Sequence, residues 1–482
     1  MPSLRHQAAS AVRWTGLSAG AAILLQCAQL ALLARWLAPG DFGLMAIVTV
    51  VAGFALAFGD LGFSSAIIHH QDSSPDDLFR LYGLNLAMGA CICSALVALS
   101  STIAGWYGNP RLIGLIRLAS ISFLIAPIGQ QYQALLQREL RFRELAKIEI
   151  AANVTGATAG VLTAWLGSGV YALVWASLSS ATVRASLLYS FGRDLRPARS
   201  SGRPGNLSKY IRFGLFVVGE RLINFTGWQL DKLIISAFLG PILLGYYSVS
   251  YQLVTRPFQI INPILTRVAF PVFAKVQTDD GRLRCGYLEL TGASAIILMP
   301  LYAGMISAAE PFILVLLGPN WTSAVPLLQV LAILGIFYGL GNPIGSLLLA
   351  KGRSDICFGI NILMLFLYAI AVITGLSHGL IGIAWCLVGA TAFVLFPLGF
   401  WIRWSLVRMS PPEYIQAFLP ALSSSLVMGV LVLFVKSQIG GPPAFQLTIL
   451  VIIGAASYVG LLTVLDRSRL ERLWQAVLSR RG

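Results

Sequence analysis

The chain has 482 residues, of which 57% are hydrophobic and 11% are charged, and its mean hydropathy is +0.78. This composition excludes an ordinary soluble globular domain and is typical of an integral membrane protein. A formal net charge of +15 would favour a nucleic-acid partner in a soluble chain, but here most basic residues lie in loops between long apolar segments. We therefore interpret the charge as a sign of membrane topology.

Fourteen segments of the sequence are long and apolar enough to span a bilayer, for which a helix needs about 20 residues. They predict an all-α integral membrane protein with about 14 transmembrane helices. The predicted spans are 15–36, 42–63, 81–105, 112–136, 148–166, 170–191, 211–239, 243–272, 289–308, 323–349, 356–376, 379–402, 414–435 and 444–465.

The distribution of Lys and Arg predicts the orientation of these spans. With the N-terminus in the cytoplasm, 25 of the 34 Lys and Arg residues fall on the cytoplasmic side. Arg35, Arg111 and Lys436 are the three that fall on the outer side. We therefore predict that both termini are cytoplasmic. The apolar segment that follows the short basic lead has no clear cleavage site, so we expect a retained first helix.

Two short motifs indicate an internal repeat. The sequences LAPGDFG at 37–43 and LGPILLG at 239–245 share Leu, Pro and Gly at the same positions, 202 residues apart. With six spans in each half, the repeat predicts two parallel six-helix lobes. The predicted organisation is an N-lobe at 1–191, a cytoplasmic linker at 192–210, a C-lobe at 211–405, two further helices at 406–465 and a basic amphipathic cytoplasmic tail at 466–482.

The spans at 211–239 and 243–272 carry ionisable residues at membrane depth. Each such residue costs about 2.5–3.5 kcal/mol on insertion scales. Residues 11 apart share a helix face, so Glu220 aligns with Asp231, and Arg221 aligns with Lys232. The two levels are about 16 Å apart at 1.5 Å per residue, too far for pairing between them. We therefore expect water, a ligand or another helix to be their partners.

These spans predict one wall of a polar cavity, and the repeat extends it to the first two spans. A shift of 202 residues maps Trp228 and Asp231 onto Gln26 and Gln29, and Asn262 onto Asp60. The predicted substrate-binding residues are Arg221, Lys232, Arg256, Trp228, Gln252, Gln259, Asn224, Gln26 and Gln29. The candidates for ion coupling are Glu220, Asp231 and Asp60.

Each of these residues also has a structural alternative. The charges could form ion pairs between packed helices, Gln26 and Gln29 could form interhelical hydrogen bonds, and Asp60 could lie at the membrane interface. The six cysteines and four histidines show no metal-binding spacing, so we predict no metal and no cofactor. Asp41 and Glu310 are the external acids, and both lie in short turns, which disfavours a catalytic site.

Four segments resemble a known family, the Wzx-type polysaccharide flippases of the multidrug/oligosaccharidyl-lipid/polysaccharide (MOP) exporter superfamily. Within it they are most similar to the exopolysaccharide, colanic-acid-exporter-like branch. The segments are LLARWLAPGDFGLMAIVTVVAGFALAFGDLGFSSAIIHH (32–70), ALLQRELRFRELAKIEI (134–150), QLDKLIISAFLGPILLGYYSVSYQLV (229–254) and LTRVAFPVFAKVQ (265–277).

The resemblance implies a V-shaped pair of six-helix lobes with two further helices, in a bacterial inner membrane. The implied substrate is an oligosaccharide repeat unit on undecaprenyl pyrophosphate, moved from the cytoplasmic to the periplasmic leaflet by alternating access. A polysaccharide polymerase and a chain-length regulator are implied partners. The cations at membrane depth suit a pyrophosphate, because the guanidinium of arginine offers a fork of donors to phosphate oxygens.

Two alternatives remain at this stage. One is a relative in the same superfamily, either a multidrug exporter or a peptidoglycan-precursor flippase. An exporter of cationic drugs would favour acids, yet the two polar spans hold four cations, Arg221, Lys232, Arg256 and Arg267, against two acids. The other alternative is a membrane glycosyltransferase, which lacks support because the outer loops are short and contain no catalytic constellation.

Overall fold

The computed structural model describes residues 4–59, 75–195, 208–341 and 343–467, and within these ranges the regular structure is entirely helical. This confirms the predicted all-α class. The helices are α1 (Leu4–Trp36), α2 (Pro39–Gly59), α3 (Pro75–Trp106), α4 (Arg111–Ser120), α5 (Ser122–Arg138), α6 (Phe142–Trp165), α7 (Tyr171–Phe191), α8 (Ser208–Phe238), α9 (Gly240–Lys275), α10 (Asp280–Ser307), α11 (Ala309–Leu316), α12 (Val325–Gly341), α13 (Pro343–Ala350), α14 (Ser354–Gly375), α15 (Gly379–Ala390), α16 (Phe396–Val407), α17 (Pro411–Gln438) and α18 (Pro443–Leu465).

Nine helical stretches among the described residues are long and apolar enough to cross a membrane. The protein is therefore a multi-pass membrane protein. One of the nine, Ser354–Val407, has 54 residues and contains α14, α15 and α16, so it exceeds the length of one crossing. The number of crossings and the internal repeat remain predictions.

Helices α6 to α9 have the length of membrane spans but are not among the nine apolar stretches. Their polar content explains this, because α8 and α9 carry the ionisable residues singled out above. In α6 and α7, Glu149 and Arg184 form an ion pair with an O···N distance of 2.9 Å. Four consecutive helices of the chain therefore combine spanning length with polar side chains.

Several helices continue beyond the predicted spans. Helix α3 begins at Pro75 instead of residue 81, and α10 begins at Asp280 instead of residue 289. Hydropathy detects only the apolar part of a helix, whereas backbone hydrogen bonding continues through polar turns at its ends. Local caps define some of these starts, since Asp279 accepts a hydrogen bond from the Arg282 N–H (3.0 Å) and Ser410 accepts one from the Glu413 N–H (3.4 Å).

By its internal contacts the chain forms two compact units, Met1–Gly245 and Tyr246–Gly482. Their boundary lies within α9 and not in the 192–210 linker, so the predicted lobe boundaries remain a prediction. Most of that linker, and the tail from residue 468 onward, lie outside the described residues. In the first unit α6 packs on α1 and α7, α7 on α5, α3 on α4 and α5, and α2 on α4 and α8.

In the second unit the core runs along α10, α17 and α18, and α12 packs on α10 and α15. Tyrosine hydroxyls connect the helices through backbone carbonyls. Tyr302 donates to Val254 O (3.0 Å), and Tyr414 donates to Leu340 O (2.8 Å). Each bond satisfies a polar group that lipid could not solvate.

Arg403 near the end of α16 lies inside this core with 2% of its surface exposed. Its guanidinium carbon is 3.9 Å from the ring centroid of Tyr414, and its Nη1 donates to the hydroxyl of Tyr287 at 3.2 Å. Arg403 directly follows the predicted span 379–402 and is therefore one of the 25 cations predicted to be cytoplasmic. The structure instead uses it to attach α16 to α10 and α17 through cation–π and hydrogen-bond contacts.

The two repeated motifs meet at a helix crossing within the first unit. A Cβ built on Gly43 of α2 would overlap the carbonyl oxygen of Pro241, and one built on Gly245 of α9 would overlap that of Pro39. Each glycine thus lies against the first turn of the other helix. This reciprocal approach requires the absence of a side chain at both positions.

We expect Gly43→Ala and Gly245→Ala to destabilise the protein, because the clashing atom is backbone and cannot move independently. The loss is about 1–3 kcal/mol, as for overpacking elsewhere. The control is Gly83→Ala on α3, which meets nothing within 4 Å and replaces glycine by a better helix former. Thermal melting in detergent tests this, and equal melting temperatures for Gly43→Ala and Gly83→Ala would contradict the close crossing.

We expect Arg403→Ala to lower the melting temperature in detergent by several degrees, since it removes both packing and the cation–π contact in a buried site. Arg403→Met keeps most of the volume without burying a charge, so its stability should be close to wild type. The exposed Arg282→Ala serves as the control. If Arg403→Met were as unstable as Arg403→Ala, the charge itself and not the packing would stabilise this core.

Candidate functional site

The predicted polar residues of α8 occupy neighbouring faces of that helix. Asn224 and Trp228 are exposed, with 52% of the Trp228 surface accessible, whereas Arg221, Asp231 and Lys232 are half-buried. The side chain of Glu220 and the whole of Asp60 lie outside the described part of the structure. The structure therefore brings five of the predicted site residues together on one helix.

Lys232 has a partner that the sequence analysis missed. Its Nζ donates to Oε1 of Gln229, one turn earlier on the same helix, at 2.8 Å. The neighbouring Asp231 carboxylate also accepts a hydrogen bond from the Lys232 backbone N–H at 2.8 Å. The expectation that only water, a ligand or another helix could partner these charges is wrong for Lys232. The sequence did contain a signal for this bond, because Gln229 precedes Lys232 by three residues and side chains at that spacing are neighbours on a helix.

Packing against α2 orients α8 within the first unit. The ring of Phe225 occupies the space where Gly53 has no side chain, and it meets Phe54 edge-on with centroids 5.1 Å apart. On the same face, Ser236 donates to the Tyr107 hydroxyl at 3.3 Å. At about 100° per residue, Lys232 falls close to this packed face, which accounts for its partial burial.

The two glutamines of α1 are half-buried within the helix bundle. A Cβ built on Gly160 of α6 would lie 3.1 Å from Nε2 of Gln29, so this amide packs closely on α6. The Oε1 of Gln26 is buried, and no hydrogen-bond partner for it occurs among the described residues. Both residues remain candidates, and the packing of Gln29 is also consistent with the interhelical alternative.

The polar residues of α9 form one continuous sector. At about 100° per residue, seven polar side chains fall within about 140° of the helix circumference. Mostly apolar residues, such as the buried Val249 and Val254, occupy the remaining surface, with the buried Ser250 among them. The sector contains one cation and no acid, and its members are Ser248, Tyr251, Gln252, Thr255, Arg256, Gln259 and Asn262. Gln252 and Arg256 are half-buried, and Gln259 is exposed.

The ion pair between Glu149 and Arg184 was not among the predicted site residues. About 37% of the Glu149 side chain and 38% of the Arg184 side chain are exposed. On α6, Glu149 lies on the same helix face as Gly156 and Gly160, which pack against Ala176 of α7. Glu149 lies at the start of a predicted span and Arg184 lies within one, but nothing in their spacing along the chain indicated that they would meet.

The two acids that are predicted to be external have structural partners. The Asp41 carboxylate accepts a hydrogen bond from the Ala38 N–H (3.1 Å) and so caps α2, and Glu310 pairs with Lys436 at 2.8 Å. No group of three or more His, Cys, Asp or Glu side chains with the geometry of a metal site occurs among the residues described. This arrangement offers neither a free pair of catalytic carboxylates nor a metal centre there.

Comparison with known sequences identifies the family of the chain. The model of the polysaccharide biosynthesis protein family matches residues 32–326. The chain belongs to this family. It is 35% identical to the teichuronic acid biosynthesis protein TuaB of Bacillus subtilis, over 96% of each chain. It is 33% identical to the lipopolysaccharide biosynthesis protein WzxC of Escherichia coli, over 77% of this chain and 76% of that one.

The fold of this polysaccharide biosynthesis family member is also found in a solved structure of the lipid II flippase MurJ in an inward closed conformation. The TM-score is 0.76 at 14% identity, and the match covers 95% of this chain and 100% of that chain. At this identity the similarity concerns the fold alone. Together the relatives confirm the resemblance to Wzx-type proteins of the MOP superfamily that the sequence motifs indicated.

Asp231 can act in two ways, which a pair of variants separates. If it only neutralises Lys232, Asp231→Asn leaves an uncompensated cation and lowers translocation about tenfold or more, as for a broken buried pair. Asp231→Asn combined with Lys232→Gln then translocates as well as Lys232→Gln alone. If Asp231 carries a coupling proton, the double variant stays far below Lys232→Gln alone. We expect the second result in a translocation assay with an imposed proton gradient. Recovery in the double variant would contradict a coupling role.

Proposed function

We propose that this protein is a flippase for undecaprenyl-pyrophosphate-linked oligosaccharide repeat units. It moves them from the cytoplasmic to the periplasmic leaflet for the assembly of exopolysaccharide or lipopolysaccharide, and it works by alternating access. It is a transporter and not an enzyme. It resides in the bacterial inner membrane with both termini in the cytoplasm, and it delivers its product to a polysaccharide polymerase and a chain-length regulator.

The polar sector of α9 is the observation that carries this proposal. Six neutral polar side chains accompany a single cation, Arg256, and the whole of Gly240–Lys275 contains no Asp or Glu. A sugar chain presents many neutral hydroxyl groups, and a pyrophosphate presents concentrated negative charge. Neutral donors and acceptors beside an arginine match that combination, because the arginine binds phosphate and the amides bind hydroxyls.

The basic residues of α8 support the same substrate. Arg221 and Lys232 add positive charge at membrane depth, and the exposed ring of Trp228 offers an apolar face to a sugar. Gln26, Gln29 and Asn224 add further hydrogen-bonding groups. Asp231, with Glu220 and Asp60, is the proposed set for coupling translocation to an ion gradient. A carrier of cationic drugs would require the opposite balance of charge on α9.

The lipid-linked intermediate in cells lacking this protein provides the test. We expect a complete repeat unit, still attached to its lipid, to accumulate on the cytoplasmic leaflet. The wild-type gene should release it, whereas Arg256→Ala should reduce release at least about tenfold, because one charge-assisted contact to phosphate contributes about 1.5–3 kcal/mol. Arg282→Ala, which removes an exposed charge on α10, is the matched control and should restore release.

The other outcomes have distinct meanings. A truncated glycan in the deletion strain would indicate a glycosyltransferase. A complete glycan on the outer leaflet would exclude the flippase and favour another transporter of the superfamily. Equal release by Arg256→Ala and wild type would remove Arg256 from the binding residues without excluding the flippase.

A further inference from the structure

Tyr251 has a more constrained environment than the other aromatic residues near the start of α9. Its ring stacks on the ring of Tyr247 with centroids 5.7 Å apart and an interplanar angle of 18°. Tyr247 is fully buried, whereas Tyr251 is half-buried at the edge of the polar sector. One face of the Tyr251 ring is therefore covered by a second aromatic ring from within the protein.

The hydroxyl group of Tyr251 lies beside a group of polar side chains from three further helical segments. Tyr338 on α12 lies next to both Tyr251 and Tyr368. Tyr368 on α14 lies 3.1 Å from Oγ1 of Thr391, which itself donates to the carbonyl of Leu387 at 2.9 Å. Thr391 begins a π-helical turn, Thr391–Leu395, between α15 and α16.

The tyrosines of α12 and α14 pack behind Tyr251. Its ring is therefore covered on one face by Tyr247 and bordered by Tyr338 at its hydroxyl end.

The neighbouring aromatic residues serve other purposes. Tyr246 donates its hydroxyl to Asn320 O at 3.2 Å and meets Trp321 edge-on, and Tyr247 is inaccessible. Tyr251 alone among these three adjoins the polar sector. A ring that is backed by another ring and placed beside amides suits stacking against the apolar face of a sugar.

We propose that Tyr251 is the platform on which a sugar ring of the lipid-linked oligosaccharide stacks, an inference that rests on the proposed function. Tyr338 is a positioning residue that acts through Tyr251. Arg256 lies five residues further along α9, about 7.5 Å along the axis and about 140° around it, at the opposite edge of the polar sector. With the pyrophosphate at Arg256, the ring at Tyr251 contacts the sugars nearest the phosphate, and Gln252 between them binds their hydroxyls.

The test compares two lipids binding to the purified full-length protein in nanodiscs. One is the glycan-bearing lipid extracted from cells that lack the protein, and the other is undecaprenyl pyrophosphate without sugar. Tyr251→Leu should bind the glycan-bearing lipid about tenfold more weakly and the sugar-free lipid as wild type does, because stacking acts on the sugar alone. Arg256→Ala should weaken the binding of both lipids.

Three further variants separate stacking from structural damage. Tyr251→Phe keeps the ring and should retain most of the glycan-dependent affinity. Tyr338→Phe removes the hydroxyl that lies beside Tyr251 and should weaken binding of the glycan-bearing lipid about threefold, with the sugar-free lipid unaffected. Tyr246→Leu is the matched control on the same helix, and it should change the affinity for neither lipid.

Failure of the inference and failure of the function give different results. If wild type binds both lipids but Tyr251→Leu alters neither affinity, or alters both equally, the platform is excluded and the flippase is retained. If wild type binds the two lipids equally well, glycan recognition is excluded in the same way. If wild type binds neither lipid, both the platform and the proposed function are wrong.

Discussion

The structure depends on one constraint, the absence of hydrogen-bond partners in a hydrocarbon solvent. Every backbone group in the bilayer must bond within the protein, and so the described regular structure is helical. Side-chain hydroxyls follow the same rule. Thr49, Thr155 and Thr374 each donate to the carbonyl four residues earlier on their own helix, with O···O distances of 2.8–2.9 Å. Such bonds satisfy a hydroxyl group within its own helix, whether the side chain faces lipid or another helix.

Charged side chains need stronger compensation, and the chain supplies it in three ways. Lys232 bonds to Gln229 on its own helix, Arg184 pairs with Glu149 on a neighbouring helix, and Arg403 lies among aromatic rings. Each arrangement offsets part of the cost of removing an ion from water. The Arg403 arrangement is structural, because that residue is buried in a packed core, whereas Arg184 and Lys232 retain partial exposure.

The contrast between α8 and α9 is central to the proposed function. Helix α8 combines acids and bases, which suits exchange of ions or protons as well as anion binding. The polar sector of α9 combines one base with neutral polar groups, which suits a substrate that is anionic at one end and hydroxyl-rich along its length. Tyr338 of α12 lies next to Tyr251 and to Tyr368 of α14, so the surroundings of the Tyr251 ring depend on α12 and α14 as well as on its own helix.

Local signals in the sequence determined the class of the protein, the approximate extent of most helices, the polar character of α8 and α9, and the family. Hydropathy, helical periodicity and short motifs are properties of neighbouring residues, so one chain suffices to detect them. The tertiary structure decided which faces are covered: Gly43 against Pro241, the burial of Arg403, and the convergence of Tyr251, Tyr338, Tyr368 and Thr391. These contacts join residues tens to hundreds of positions apart. A helical pattern in the sequence does not determine which of them will be in contact, because that depends on how the helices pack.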